Sequence, residues 1–385
     1  MSSSRRDFLK QFGLTTALST VGGSFLPGAG FDAAPEGQPK DTAGGGRKIG
    51  YCIVGLGRIS MGEFMPGVQI SKRSKIVALV SGHRPKAEQM ADKYGVSHKA
   101  IYDYAHYEEI GHNPEIDAVY IALPNGMHAE YTIRAAKVGK HVLCEKPMAN
   151  SVAECEHMIA ACRKANRKLM IGYRCRYEPT NLKATELVRQ GYVGTVEQIN
   201  CSFGFNIAQH EWRLNKKMAG GGPLVDVGIY CIQACRYLTG EEPVETQGFS
   251  SVVDHDGRFN EVEESLVWNF RFPSGVLAYC STSYGTNFVG DSARAIGSKG
   301  MLEVNPAFVY EGLRLTGKAQ GGKPLDIQYH DPSPHQFTRE ADYFADCILN
   351  NKEPKTAGEE GLRDEKVITA IYRSCAENRP VKLSA

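Results

Sequence analysis

Apolar residues in the first half of the chain come in short unbroken runs, each followed by a stretch with helical spacing. The runs are KIGYCIVG from Lys48, KIVALVSG at 75–82, IDAVYIALPN at 116–125, HVLC at 141–144 and KLMIGY at 168–173. Runs of this length bounded by turn residues read as buried strands, and strands alternating with helices imply right-handed crossovers and a parallel, doubly wound sheet. Beyond Gly172 the rhythm changes. An amphipathic helix in YRCRYEPTNLKATELVRQG leads into longer strands: GTVEQINCSFGF, VETQGFSSVV, EESLVWNFRF, GVLAYCSTSY and DSARAIGSKGMLEV. Turns such as FPSG and GSKG join them, which predicts an open, largely antiparallel sheet. One helix at 223–238 interrupts the series and two near 335–350 and 359–377 complete it. The fold class is an α/β Rossmann domain at 47–170 followed by an α+β domain at 171–385.

The segment before Lys48 stands apart. Arg5 and Arg6, followed by Phe8, Leu9, Lys10 and a weakly apolar Gly- and Thr-rich stretch, resemble a twin-arginine export signal over 1–30. Residues 31–46, FDAAPEGQPKDTAGGG, read as a Pro/Gly-rich linker or an arm laid on another subunit. The expectation is a periplasmic protein, exported folded.

Composition narrows the class of partner. The chain has 385 residues, 42% hydrophobic and 23% charged, as an ordinary two-domain soluble protein would. A formal charge of +2 gives no reason to expect nucleic acid or an acidic membrane surface. After the first thirty positions no run of about 18 apolar residues exists, so no integral membrane span is expected. Of the eleven cysteines, Cys52, Cys144 and Cys201 lie in apolar strand patterns, and Cys231 and Cys235 share a helix with no His cluster. They predict reduced, buried thiols and no metal site.

Candidate chemistry sits where strands end. Gly55-Leu56-Gly57-Arg58-Ile59-Ser60 follows the first strand and opens a helix, the context in which a G-x-G turn cradles a pyrophosphate. Ser60 takes the place of the usual third small residue. After the second strand, where an acid would accept from the ribose of NAD, the chain has Ser81-Gly82-His83-Arg84-Pro85-Lys86. A hydroxyl and nearby cations suit a 2′-phosphate, so Ser81 and Lys86 predict NADP; the bland reading is a solvated basic helix start. Lys146, just past HVLC in KHVLCEKPMANS, lies at the carboxyl edge of the parallel sheet, where ligands bind.

The ordered set GLG, LPNGMH, CEKPM, GYRCRYEP, GGGPLVDVGIY and GEEG resembles the Gfo/Idh/MocA oxidoreductases over 48–383, and within them the glucose-fructose oxidoreductase branch. The resemblance implies an active site between the two domains and an open sheet used for assembly, hence a homo-oligomer, dimer or tetramer. It implies that Tyr230 is the general acid/base, Lys146 its electrostatic partner and Asp226 an acceptor from a sugar hydroxyl. It further implies that Tyr104, Pro124, Asn125, His128, Glu145, Arg174, Trp212 and Arg213 line the cofactor, that a cis bond precedes Pro147, and that Tyr177 lines the sugar site. The arm and the segment before EWRL are shorter than in that branch. The implied activity is an NADP-dependent sugar oxidoreductase with tightly bound cofactor, oxidising an aldose to its lactone and reducing a second carbonyl compound. The alternatives are a glycosidase acting by transient oxidation and elimination, and a non-catalytic NADP-binding sensor.

Overall fold

The computed structural model describes residues 46–383, so the segment read as an export signal and all but the last residue of the arm lie outside the described residues. Six strands form a parallel sheet in the order β3-β2-β1-β4-β5-β6. They are β1 (Ile49–Val54), β2 (Ser74–Val80), β3 (Ile101–Tyr102), β4 (Ala118–Ile121), β5 (His141–Glu145) and β6 (Leu169–Gly172). Every position of β1, β4 and β6 is buried, because helices cover both faces of such a sheet. Strand order reverses between β1 and β4, and in such sheets ligands bind outside the carboxyl ends of the strands at that point.

The second sheet has nine strands in the order β14-β13-β12-β11-β7-β10-β9-β8-β15. They are β7 (Val196–Gly204), β8 (Glu245–Ser251), β9 (Ser265–Arg271), β10 (Leu277–Ser283), β11 (Asp291–Gly297), β12 (Gly300–Val304), β13 (Arg314–Ala319), β14 (Leu325–Gln328) and β15 (Val381–Lys382). Burial alternates along them. In β9, Leu266, Trp268 and Phe270 face inward while Val267, Asn269 and Arg271 face out. The helix Ile229–Thr239 packs on β7 and the helix Gly358–Glu377 on β8, so only one face is covered.

The sheet is antiparallel except where β7 pairs in parallel with β10. The hairpin β13–β14 was absent from the sequence reading: RLTGKA and LDIQ are polar, interrupted by Gly317 and half exposed at the sheet edge, so neither shows an apolar run. The helix expected from Tyr173 begins at Pro179, with Glu178 capping it by accepting from the Thr180 and Asn181 amides. The helix expected over 223–238 opens as a wide turn, Leu224–Gly228, before Ile229–Thr239. All eleven cysteines are free thiols. Three of them, Cys201, Cys235 and Cys280, bring their Sγ atoms within 4.8 Å of one another. Spacing along the chain could not reveal this group, because it is assembled from β7, a helix and β10.

Candidate active site

The loop after β1 has the shape a dinucleotide phosphate needs. Gly55 adopts φ +94°, and a Cβ there would come 2.7 Å from the Ala122 carbonyl oxygen, so only glycine fits. Around Gly57 nothing lies within 4 Å of a notional Cβ, which leaves the turn open to a ligand. Ser60 is fully buried and its Oγ donates to the Gly55 carbonyl at 2.6 Å, so it closes the turn from below rather than facing a cofactor. Leu56 is buried, Ile59 half-buried and Arg58 exposed, paired with Glu211.

The β2 end meets this loop. Lys86 Nζ donates to the Leu56 carbonyl at 3.4 Å, and Ser81 Oγ accepts from the His83 amide at 3.1 Å. The His83 ring caps the helix Arg84–Tyr94 by accepting from the Lys86 amide. Tyr104 stands beside Gly82, 3.3 Å from where a Cβ would project. A glycine turn, a hydroxyl and an ammonium thus lie at the ends of β1 and β2 with no acid after β2, a donor set that fits a phosphorylated dinucleotide.

At the end of β5, the side chain of Lys146 reaches across to the second half of the molecule, and the Lys146–Pro147 bond is cis. Its Nζ donates to the Asp226 carbonyl at 2.6 Å and to Asp226 Oδ1 at 3.0 Å. Arg213 Nε lies 2.9 Å from Asp226 Oδ2, and the Tyr284 hydroxyl donates to the same oxygen at 2.7 Å. Burial pushes the Asp226 carboxyl up, but the Lys146 and Arg213 cations and the Tyr284 hydroxyl outweigh it and hold Asp226 well below the usual carboxylate range. The Tyr230 ring lies 4.9 Å from Lys146 Nζ and 4.9 Å from the Arg174 guanidinium carbon, edge-on to Phe203. Lys146, Asp226 and Tyr230 therefore converge on one wall, with Arg213 and Trp212, whose ring carries the Arg213 guanidinium at 4.7 Å.

Several residues have other work than the sequence reading gave them. Lys146 bonds Asp226 instead of the phenol. Burial pushes the Tyr230 phenol well above its ordinary value, and the cation that opposes this is Arg174. His128 is fully buried, with Nδ1 2.9 Å from the Pro147 carbonyl and Nε2 2.9 Å from the Leu123 carbonyl. No ring nitrogen remains for a cofactor; His128 straps the turn after β4 to the turn after β5. Asn125 is also buried, donating to the Ala219 carbonyl at 2.8 Å, whereas Pro124 beside it stays partly open. Glu145 accepts from the Tyr120 hydroxyl at 2.6 Å and the Lys146 amide at 3.2 Å. Tyr177 is not on that wall: its hydroxyl pairs with Thr356 at 2.9 Å inside the core.

Three site residues escaped the sequence reading. Tyr284 continues the inward register of Ala278, Cys280 and Thr282 one step past β10, and a polar aromatic at such a strand end was the available signal. Tyr310 lies under Arg174, 4.5 Å from ring centroid to guanidinium carbon. Glu340 is fully buried with neither carboxyl oxygen hydrogen-bonded among the described residues. Burial and the neighbouring Glu145 push its pKa well above the ordinary carboxylate value.

Residues 49–173 match the Gfo/Idh/MocA oxidoreductase family with NAD-binding Rossmann fold, and residues 181–303 match the Gfo/Idh/MocA C-terminal domain. The NADP⁺-dependent D-xylose 1-dehydrogenase of Haloarcula marismortui is 30% identical over 342 residues, 87% of this chain and 93% of that one. The trans-1,2-dihydrobenzene-1,2-diol dehydrogenase of Danio rerio is 29% identical, covering 69% of this chain and 75% of its own. The crystal structure of aldose-aldose oxidoreductase from Caulobacter crescentus, complexed with glycerol, superposes with a TM-score of 0.84 at 44% identity. The match spans 88% of this chain and all of that one.

Proposed function

This chain belongs to the Gfo/Idh/MocA oxidoreductases, and from that premise we propose that it oxidises an aldose to its lactone with tightly held NADP, then reduces a second sugar or carbonyl compound. The observation that carries this reading is the meeting of Lys146, Asp226 and Tyr230 at the end of β5. Likeness to an aldose-aldose oxidoreductase and to an NADP⁺-dependent xylose dehydrogenase supports the sugar and the nucleotide.

Oxidising a carbinol removes a hydride from carbon and a proton from oxygen. NADP, when bound, supplies the hydride acceptor; the 55–60 turn, Ser81 and Lys86 would hold its phosphates. Lys146, oriented by its two bonds to Asp226, donates to the substrate oxygen. Tyr230 takes the hydroxyl proton and returns it in the second half of the cycle. Asp226 is too acidic to keep a proton near neutrality, so it orients Lys146 and accepts from a sugar hydroxyl. Its carboxylate has about four acceptor positions; Lys146 and Tyr284 donate into two, and Arg213 adds an ion pair at 2.9 Å.

The twin-arginine segment fits this cycle. A periplasmic enzyme has no dependable supply of fresh nucleotide, and a retained cofactor recycled by the second substrate removes that need. Exposed Phe249, Val267, Leu277 and Tyr279 on the outer face of β8–β10 support a homo-oligomer assembled through that face.

Mass spectrometry and absorbance of protein purified without added nucleotide test the reading. NADP(H) should copurify near stoichiometrically, and an aldose should raise the reduced-nicotinamide absorbance unaided. Cofactor-free protein that needs added NADP, or release of free aldose from a glycoside without net redox change, would overturn it.

A further inference from the structure

Arg174 is 4% exposed, yet its hydrogen bonds go to neutral groups. Nη1 donates to Gln336 Oε1 at 2.7 Å, to the Val309 carbonyl at 3.2 Å and to Cys175 Sγ at 3.6 Å, Nη2 donates to the Phe308 carbonyl, and Nε has no hydrogen-bond partner among the described residues. A guanidinium taken out of water ordinarily answers to a carboxylate. This one instead lies over two phenol rings, with its guanidinium carbon 4.5 Å from the Tyr310 centroid and 4.9 Å from that of Tyr230. It is also immobile, because carbonyls from the 308–309 segment and an amide from the helix His335–Leu349 grip its head.

We propose that Arg174 is the positioning residue that makes Tyr230 usable as an acid/base, its fixed charge supplying the counter-ion that a Tyr230 phenolate requires. The inference rests on the reading of Tyr230 as the proton acceptor, and it moves Arg174 from the cofactor wall to the phenol. Lys146 cannot fill the role alone, since its ammonium is engaged by Asp226. Cations stacked on aromatic faces are a common arrangement, but here the ring itself changes charge during the cycle. Substrate oxygen gives its proton to the phenolate as the hydride leaves carbon, and the phenol gives the proton back when the second carbonyl is reduced, so nothing is gained or lost over a full turnover.

Glu145 and Lys146 face Tyr230 from the end of β5, Cys175 from the turn after β6, and Asp226 from one turn earlier on its own helical segment. Tyr310 and Glu340 stand behind Arg174. Glu145, Asp226 and Cys175 all oppose a phenolate, and Arg174 is the group that favours it most. Phe203 and Phe308 complete the pocket without charge.

The experiment is single-turnover reduction of the bound nucleotide by an aldose, followed across pH in the holoenzyme. The rate should rise with pH along one limb, and Tyr230→Phe should abolish that limb. In Arg174→Met the limb should move up by about one pH unit or more, so that the rate at a given pH on it falls about tenfold, with nucleotide retention and sugar KM unchanged. Arg174→Lys, which keeps the charge, should bring the limb back to within about half a unit. If Arg174→Met does not fold, Arg174→Gln takes its place, since it can still donate to the carbonyls. A limb unmoved in the neutral variant, or a variant that loses nucleotide instead, overturns the role given to Arg174. A limb that survives in Tyr230→Phe overturns the reading of Tyr230, and the proposal with it.

Discussion

The two sheets bury their strands in opposite ways. In β1 every residue is covered, whereas in β9 covered and exposed residues alternate. The first pattern leaves a strand no face to spend on function, so chemistry in the parallel half is confined to strand ends: the Gly55 turn, Ser81 and Lys146. The second sheet has a free outer face, and its inner face carries helices. The wide turn Leu224–Gly228 there projects Asp226, and the helix after it projects Tyr230. The site proposed at the junction would therefore draw its cofactor end from one half and the acid and phenol proposed to face the sugar from the other.

Breaking that junction should have the largest effect. Lys146→Met and Tyr230→Phe should each lower turnover by about 10²–10⁴ while the protein still folds and retains nucleotide. The double variant should cost little more than either single one, since groups acting as a unit are not additive. Full additivity in single-turnover assays would show that the two act separately.

Within β9 the contrast can be measured on adjacent residues. Trp268 lies inward at 1% exposure and Val267 outward at 50%. Trp268→Ala should destabilise by about 3–5 kcal/mol, and Val267→Thr by no more than about 0.5 kcal/mol, as read from denaturant midpoints. Val267→Asp should leave the protomer folded and shift the sedimentation profile toward monomer. An unchanged profile would remove this face from the proposed assembly.

Glu365 sits on the helix Gly358–Glu377, which packs on the helix Val152–Lys164 of the first half and on β8 of the second. Burial pushes its carboxyl up to about 8. In the unfolded chain a glutamate titrates near about 4.3, so between those values the folded state holds a proton that the unfolded state has released. Stability should fall as pH rises through that window. Glu365→Gln should flatten the dependence, by up to a few kcal/mol between its ends, and equal slopes in both proteins would rule the group out.

At the nucleotide end the effect should fall on cofactor preference. Ser81→Asp should place a carboxylate where the 2′-phosphate is proposed to lie and shift the NAD:NADP preference by about 1–3 kcal/mol. No change in the binding ratio would remove Ser81 from recognition.

How much of this was legible in the chain follows from the same contrast. The parallel sheet could be read because its strands are unbroken apolar runs between turn residues, and Lys146 could be placed because it follows such a run. The strands of the second sheet were visible where aromatic and β-branched residues alternate with polar ones, as in SLVWNFR. They were invisible in RLTGKA and LDIQ, which lie at a half-exposed edge. The Asp226 carboxylate with its Tyr284 partner was half legible: the acid came through family resemblance, but its hydroxyl donor lies 58 positions downstream, and no local pattern joins them. His128 and Arg174 were assigned to the cofactor on motif position. What each touches is decided by carbonyls from distant turns, Pro147 and Leu123 for one and Phe308 and Val309 for the other.

Strand β7 comes first in the second sheet by sequence, yet it lies in the middle by position. On one side it meets β10, on the other β11. The groups β8–β10 and β11–β14 are each built from neighbours in the chain and can form by short closures, whereas β7 must wait for partners roughly eighty to a hundred residues away, a slower closure. Order of assembly then follows from order in the sheet: two meanders first, and the seam strand last. Pulse-labelled hydrogen exchange during refolding should protect β9 and β12 before β7, and simultaneous protection would refute this sequence of events. Because β7 carries Phe203 against the Tyr230 ring, the packing of the proposed catalytic phenol would be finished only in that last event, and a chain caught before it would have no working site to expose.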